Sequence, residues 1–99
     1  MKYSIKTTNI DLTDALRDHI DEKMSALDKF SANIIQTRLE IGMPSKHHNK
    51  GEIFRAEANI QVPGDMLRVE TTNEDQYAAI DGLARKMKQA LIKYKERKH

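Results

Sequence analysis

The chain has no cysteine and no tryptophan, and only four glycines, two prolines, three tyrosines and two phenylalanines among its 99 residues. Without cysteine there are no disulfides, thiol nucleophiles or cysteine-ligated metals, which fits a reducing compartment. So few aromatics leave little on which a sheet could stack RNA bases. No apolar run approaches the ~20 residues of a membrane span. The opening MKYSIKTTNI lacks the apolar stretch of a secretory signal. No glycine-rich phosphate loop is present. The expectation is a cytoplasmic protein without a membrane partner, with residues 1–99 forming a single domain.

What is present alternates between two periodicities. YSIKTT puts Tyr3, Ile5 and Thr7 on one face and Ser4, Lys6 and Thr8 on the other, as in a half-buried strand. Thr13 is a plausible N-cap for a helix over 13–29, with Leu12, Leu16, Ile20, Met24 and Leu27 as its stripe and Phe30 packing just beyond. A second strand follows, with Ile35, Thr37, Leu39 and Ile41 inward, and Pro44 stops its pairing. In EIFRAEANIQV, Phe54, Ala56, Ala58, Ile60 and Val62 face inward. Pro63 and Gly64 suit the two central positions of a type II turn, so MLRVETT forms a hairpin with that strand through Leu67, Val69 and Thr71. Asn73 resembles an N-cap, with Gln76 three residues on, for a last helix over 74–98. Gly82 inside that helix costs ~1 kcal/mol relative to alanine, which close packing against a neighbour would explain. The order is β-α-β-β-β-α. Strands with one apolar face and helices with one apolar stripe make an α+β two-layer sandwich, a four-stranded sheet with both helices on one face.

The net charge of +2 conceals a split. Residues 85–99 hold Arg85, Lys86, Lys88, Lys93, Lys95, Arg97 and Lys98 against Glu96 alone, a local charge of +6, so residues 1–84 carry −4. Charge alone leaves two readings level: a solubilising helix end that complements the macrodipole, or a footprint for a polyanion. The wheel separates them. At 100° per residue with Arg85 at zero, Gln89, Lys93, Lys86 and Arg97 fall at about 40°, 80°, 100° and 120°, opposite an apolar stripe centred near 210°. Lys88 and Lys95 flank that stripe on its other side. A structural helix more often intersperses signs for i,i+4 support. An unrelieved row suits a line of phosphates and positions a protein without reading sequence.

Other candidates have ordinary readings. His47 and His48 are adjacent in a loop with Lys46 and Lys50, without a third ligand at metal spacing, and read as a solvated basic loop. His19 lies at the boundary of the first helix's stripe. Asp75 and Asp81 fall on different helix faces and make a poor acid–base pair. Asp14, Asp18, Asp21, Glu22 and Asp28 make the first helix acidic. Ser4, Ser25, Ser31 and Ser45 lack a nucleophile elbow. The residues call for no catalysis, cofactor or metal.

Two stretches together carry a resemblance. NIDLTDALRDHIDEKMSALDKF is similar to the first helix of bacterial ribosome hibernation promoting factors, within the ribosome-associated inhibitor A and sigma-54 modulation family. EDQYAAIDGLARKMKQALIKYKERKH resembles their last helix, in which a YAAID core precedes spaced lysines and arginines. Element order and length agree, so the resemblance covers nearly the whole chain and points to the short members; longer relatives carry a further dimerisation domain. It implies a fold like a double-stranded-RNA-binding domain and a protein that is monomeric in isolation. It implies binding to the small ribosomal subunit and its rRNA in the mRNA and tRNA channel. It also implies silencing of translation in stationary phase or stress, and promotion of inactive ribosome dimers with ribosome modulation factor. Lys86, Lys93, Lys95 and Arg97 fall where the family pattern is basic. Gln89 stands where a basic residue is common and Arg85 where an acidic one is, so charge moves about one turn, toward Arg85 and Lys88. The alternatives are an inhibitor of monomeric ribosomes, a protein-binding modulator of an alternative sigma factor, and a free duplex-RNA-binding module, against which the leading strand argues.

Overall fold

Alternating side chains build the four strands, and the computed structural model describes residues 1–30, 33–44 and 53–97. The elements run β1 (Tyr3–Thr8), α1 (Asp14–Ala26), a 3-10 turn (Asp28–Phe30), β2 (Gln36–Gly42), β3 (Phe54–Val62), β4 (Asp65–Asn73) and α2 (Gln76–Arg97). The strands lie in the order β1-β2-β3-β4. β1 is parallel to β2, with Ile5 beside Leu39, and the other pairs are antiparallel. The sheet is therefore mixed, and α1 is the crossover that parallel neighbours require.

One face of the sheet supplies Leu39, Ile41, Ala56, Ala58, Ile60 and Leu67 to a single core. Leu16, Ile20 and Met24 of α1 and Ile80, Leu83, Met87 and Leu91 of α2 fill it from above. Burying each such side chain contributes about 1.5–3 kcal/mol. The opposite face stays open. Both helices thus cover one face, as the sequence leads one to expect. Thr37 is the one buried polar residue among those described, and its hydroxyl has no hydrogen-bond partner.

The expected hairpin forms across Pro63 and Gly64, pairing Val62 with Asp65. Gly64 has φ of 77°, the left-handed value that the second central residue of a type II turn adopts and that glycine reaches without a side-chain clash. Thr13 caps α1, its hydroxyl accepting from the Leu16 N–H at 3.2 Å.

Four boundaries differ from expectation. α1 ends at Ala26 instead of 29, because Leu27 N–H donates to Met24 O (3.1 Å) and Phe30 N–H to Leu27 O (2.9 Å), tightening the chain into a 3-10 turn. That turn packs Phe30 against the core. Ile35, expected inward, precedes β2 and is 53% exposed. The β3 strand begins at Phe54, two residues after its expected start. α2 starts at Gln76, and its cap is Asp75: the Asp75 carboxylate accepts from Tyr77 N–H (2.9 Å) and its carbonyl from Ala79 N–H (2.9 Å). Asn73 instead closes β4, where its side chain accepts from Asp75 N–H. The loop with His47 and His48 lies outside the described residues, as does Lys98.

Candidate nucleic-acid interface

α2 carries the basic residues, and its attachment to the rest of the molecule determines where they stand. Its buried arc is Ala79, Ile80, Leu83, Ala84, Met87, Leu91 and Tyr94. A Cβ on Gly82 would meet Thr71 Oγ1 of β4 at 3.2 Å, so glycine lets the helix lie close to that strand. Near the C-terminal end, the Tyr94 hydroxyl donates to Pro63 O at 2.8 Å, fastening the helix to the hairpin turn. Near the N-terminal end, His19 Nε2 of α1 lies 2.7 Å from Asp81 Oδ1, and Lys23 Nζ lies 3.4 Å from the same oxygen. The His19 ring meets Tyr77 edge-on at 5.1 Å. Partial burial would raise the Asp81 carboxyl, but the hydrogen bond from His19 and the charge of Lys23 outweigh it and hold it below its ordinary value. The boundary histidine is thus half of a clasp between the helices, with a partner 62 residues away.

The expected residues divide between two flanks and a crest. On the flank beside β4, Lys86 Nζ donates to Glu70 O at 2.7 Å and Arg97 Nη2 lies 3.6 Å from Asp65 Oδ2. A shallow groove runs between this flank and the strand, with Val69 and Ala90 in its floor and Lys86 and Lys93 on its rim. Arg85 and Gln89 stand on the exposed crest, near Ile92, itself 37% exposed. On the other flank, Lys88 Nζ sits 5.0 Å from the centre of the Phe30 ring, and Lys95 is half-buried. The structure therefore brings Lys86, Gln89, Lys93 and Arg97 to one side of the helix and sets Lys88 and Lys95 apart from them. Among the described residues no carboxylate pairs with Arg85, Lys86, Lys88, Lys93 or Lys95; Arg97 alone has one.

The sequence reading omitted Lys29, whose Nζ also lies over the Phe30 ring, at 5.5 Å. A helix continued through 29 gives no sign of it, because the 3-10 turn puts Lys29 there. Among the described residues no group of three or more His, Cys, Asp or Glu could hold a metal, and no helix is long and apolar enough to cross a membrane.

Residues 3–99 match the family model described as Sigma 54 modulation protein / S30EA ribosomal protein. The ribosome hibernation promoting factor of Azotobacter vinelandii is 36% identical over 97 residues, covering 98% of this chain and 85% of that protein. The ribosome hibernation promotion factor of Deinococcus radiodurans is 30% identical over 95 residues, covering 96% of this chain and 49% of that protein, so the chain spans about half its length. The Thermus thermophilus Protein Y N-terminal domain superposes with a TM-score of 0.78 at 26% identity, covering 95% of this chain and 99% of that domain. A ribosomal subunit interface protein from Coxiella burnetii shares the fold, with a TM-score of 0.83 at 23% identity and coverage of 97% and 99%.

Proposed function

The chain belongs to the Sigma 54 modulation protein / S30EA ribosomal protein family, and from that premise we propose that it is a ribosome hibernation factor acting as a single cytoplasmic domain. Its ligand is the small ribosomal subunit, held through rRNA backbone by the cations of α2. The observation that carries this reading is the set of α2 cations without carboxylate partners, in a chain whose relatives are hibernation factors. Each phosphate neutralised releases counterions, so affinity falls steeply with salt. A rigid sheet and a helix fastened at both ends present these cations at one-turn spacing. Bound in the mRNA and tRNA channel, the domain excludes other ligands by occupying space, without chemistry, and favours inactive ribosomes, including dimers formed with ribosome modulation factor.

Sedimentation of the purified protein with ribosomes and separated subunits, at low and high salt, tests this. Co-migration with small subunits that weakens with salt is expected, and a dimer peak in the presence of modulation factor selects dimerisation over inhibition of monomeric ribosomes. Protein that stays at the top of the gradient at every salt refutes ribosome binding. The family description also names sigma-54 modulation. That second reading requires binding to a protein partner that survives ribonuclease.

A further inference from the structure

Two cations that the β4 flank does not contain are gathered at the opposite side of α2. Lys29, from the 3-10 turn, and Lys88, from α2, both place an ammonium over the Phe30 ring, at 5.5 and 5.0 Å. The two nitrogens therefore lie no more than 10.5 Å apart, about one Debye length at 0.1 M salt. Their repulsion is only partly screened. Neither has a carboxylate partner among the described residues, and the neighbouring Asp28 is engaged by the Met1 amino group at 3.0 Å. The ring holds both ammoniums in place, and an anion close to the pair would relieve their repulsion. On the wheel Lys88 and Lys95 lie about 170° from the mean direction of Lys86, Lys93 and Arg97.

We propose that Lys29 and Lys88, held about the Phe30 ring where the 3-10 turn meets α2, form a second phosphate-binding point for RNA, so that α2 lies between two backbone segments instead of along one. This rests on the reading of the ligand as ribosomal RNA. The β4 flank already spends part of its charge internally, through Lys86 on Glu70 O and Arg97 on Asp65. The Phe30 flank has no such engagement and keeps its full charge for the ligand. A helix gripping two segments recognises folded RNA over an extended strand, because only a folded chain puts backbone on both sides.

The test is a salt titration of small ribosomal subunits with the full chain. Lys29→Gln with Lys88→Gln should raise Kd roughly tenfold and lower the slope of log K against log salt by about 1.5, near the 0.7–0.9 per lost phosphate contact. The melting temperature should stay unchanged, and Lys29→Arg with Lys88→Arg should restore both affinity and slope. Wild-type affinity and slope in the glutamine pair, beside weak binding by Lys86→Gln with Lys93→Gln, would overturn the second point and leave the ribosomal reading intact. Weaker binding with an unchanged slope would also overturn it, as loss of packing without loss of a phosphate. Failure of the unaltered protein to bind subunits at any salt would sink both.

Discussion

On the open face of the sheet, Arg55 Nε donates to Glu70 at 3.0 Å and Nη2 to Glu57 at 3.1 Å, while Arg68 donates to Asn59 and lies 3.7 Å from Glu57. Lys6 lies 3.6 Å from Glu40. The register sets Glu40, Glu57 and Glu70 side by side across three strands, a row of like charges that would repel. The cations beside them remove that cost, and Glu70 and Glu57 hold the Arg55 guanidinium above its ordinary value, through a hydrogen bond first and charge second. The exposed part of α2 is as rich in charge, yet its cations reach a backbone carbonyl, a ring or water, and only Arg97 reaches a carboxylate. One surface balances its charges within the fold; the other leaves them for a partner. Thr37 shows the interior counterpart: an unpaired polar group in the core is only a cost, because nothing from outside can reach it.

The largest effect expected from this contrast is on binding. Lys86→Glu with Lys93→Glu should lower affinity for small subunits by roughly a hundredfold and flatten the salt dependence, with the melting temperature nearly unchanged. A fluorescence anisotropy titration checks both. Next is the clasp. Asp81 is held below its ordinary value, so its contribution is present above the unfolded carboxyl value, about 3.9, and is lost as pH falls through the lower folded value. Asp81→Asn should therefore destabilise the protein at pH 6 and reduce the part of its acid sensitivity that lies below about pH 4, measured by urea unfolding at both pH values. Thr37→Val removes the unpaired hydroxyl at nearly constant volume and should stabilise by about 1 kcal/mol, read from the denaturation midpoint. Smallest is Arg55→Ala on the sheet. Its half-exposed pairs should contribute only about 0.5–1 kcal/mol, and affinity for subunits should not move. An affinity loss equal to that of the α2 variant would erase the distinction between the two surfaces.

The strands were legible because a two-residue period is a strong signal, and Pro63-Gly64 left little choice about the hairpin between β3 and β4. Thr13 was legible as a cap for a similar reason: a hydroxyl stands immediately before an apolar helical repeat. The end of α1 was not, since neither glycine nor proline marks it and the stop comes from packing of Phe30 against the core. The start of α2 offered two capping residues, Asn73 and Asp75, and β4 claimed the first. The candidate site was legible as a composition: the row of cations on one helix is visible in the sequence. Its division was not, because Lys86 on Glu70 O, Arg97 on Asp65 and Lys88 over Phe30 are tertiary contacts between residues far apart in the chain. His19 and Asp81 likewise carry no local sign of each other.

The parallel pairing of β1 with β2 has a consequence for how the chain finds its fold. Val62 and Asp65 meet across a two-residue turn, whereas Tyr3 must wait for Thr37, with all of α1 between them. Hairpins close in about 1–10 μs, and pairings distant in sequence form later because loop closure costs entropy before contacts repay it. The β3–β4 hairpin is thus an early nucleus and β1 a late arrival. Until it docks, β2 offers an open edge with Leu39 and Ile41 uncovered, able to pair with another chain. Refolding yield should accordingly fall as protein concentration rises, although the finished sheet ends in a short strand, β1, that carries Lys6.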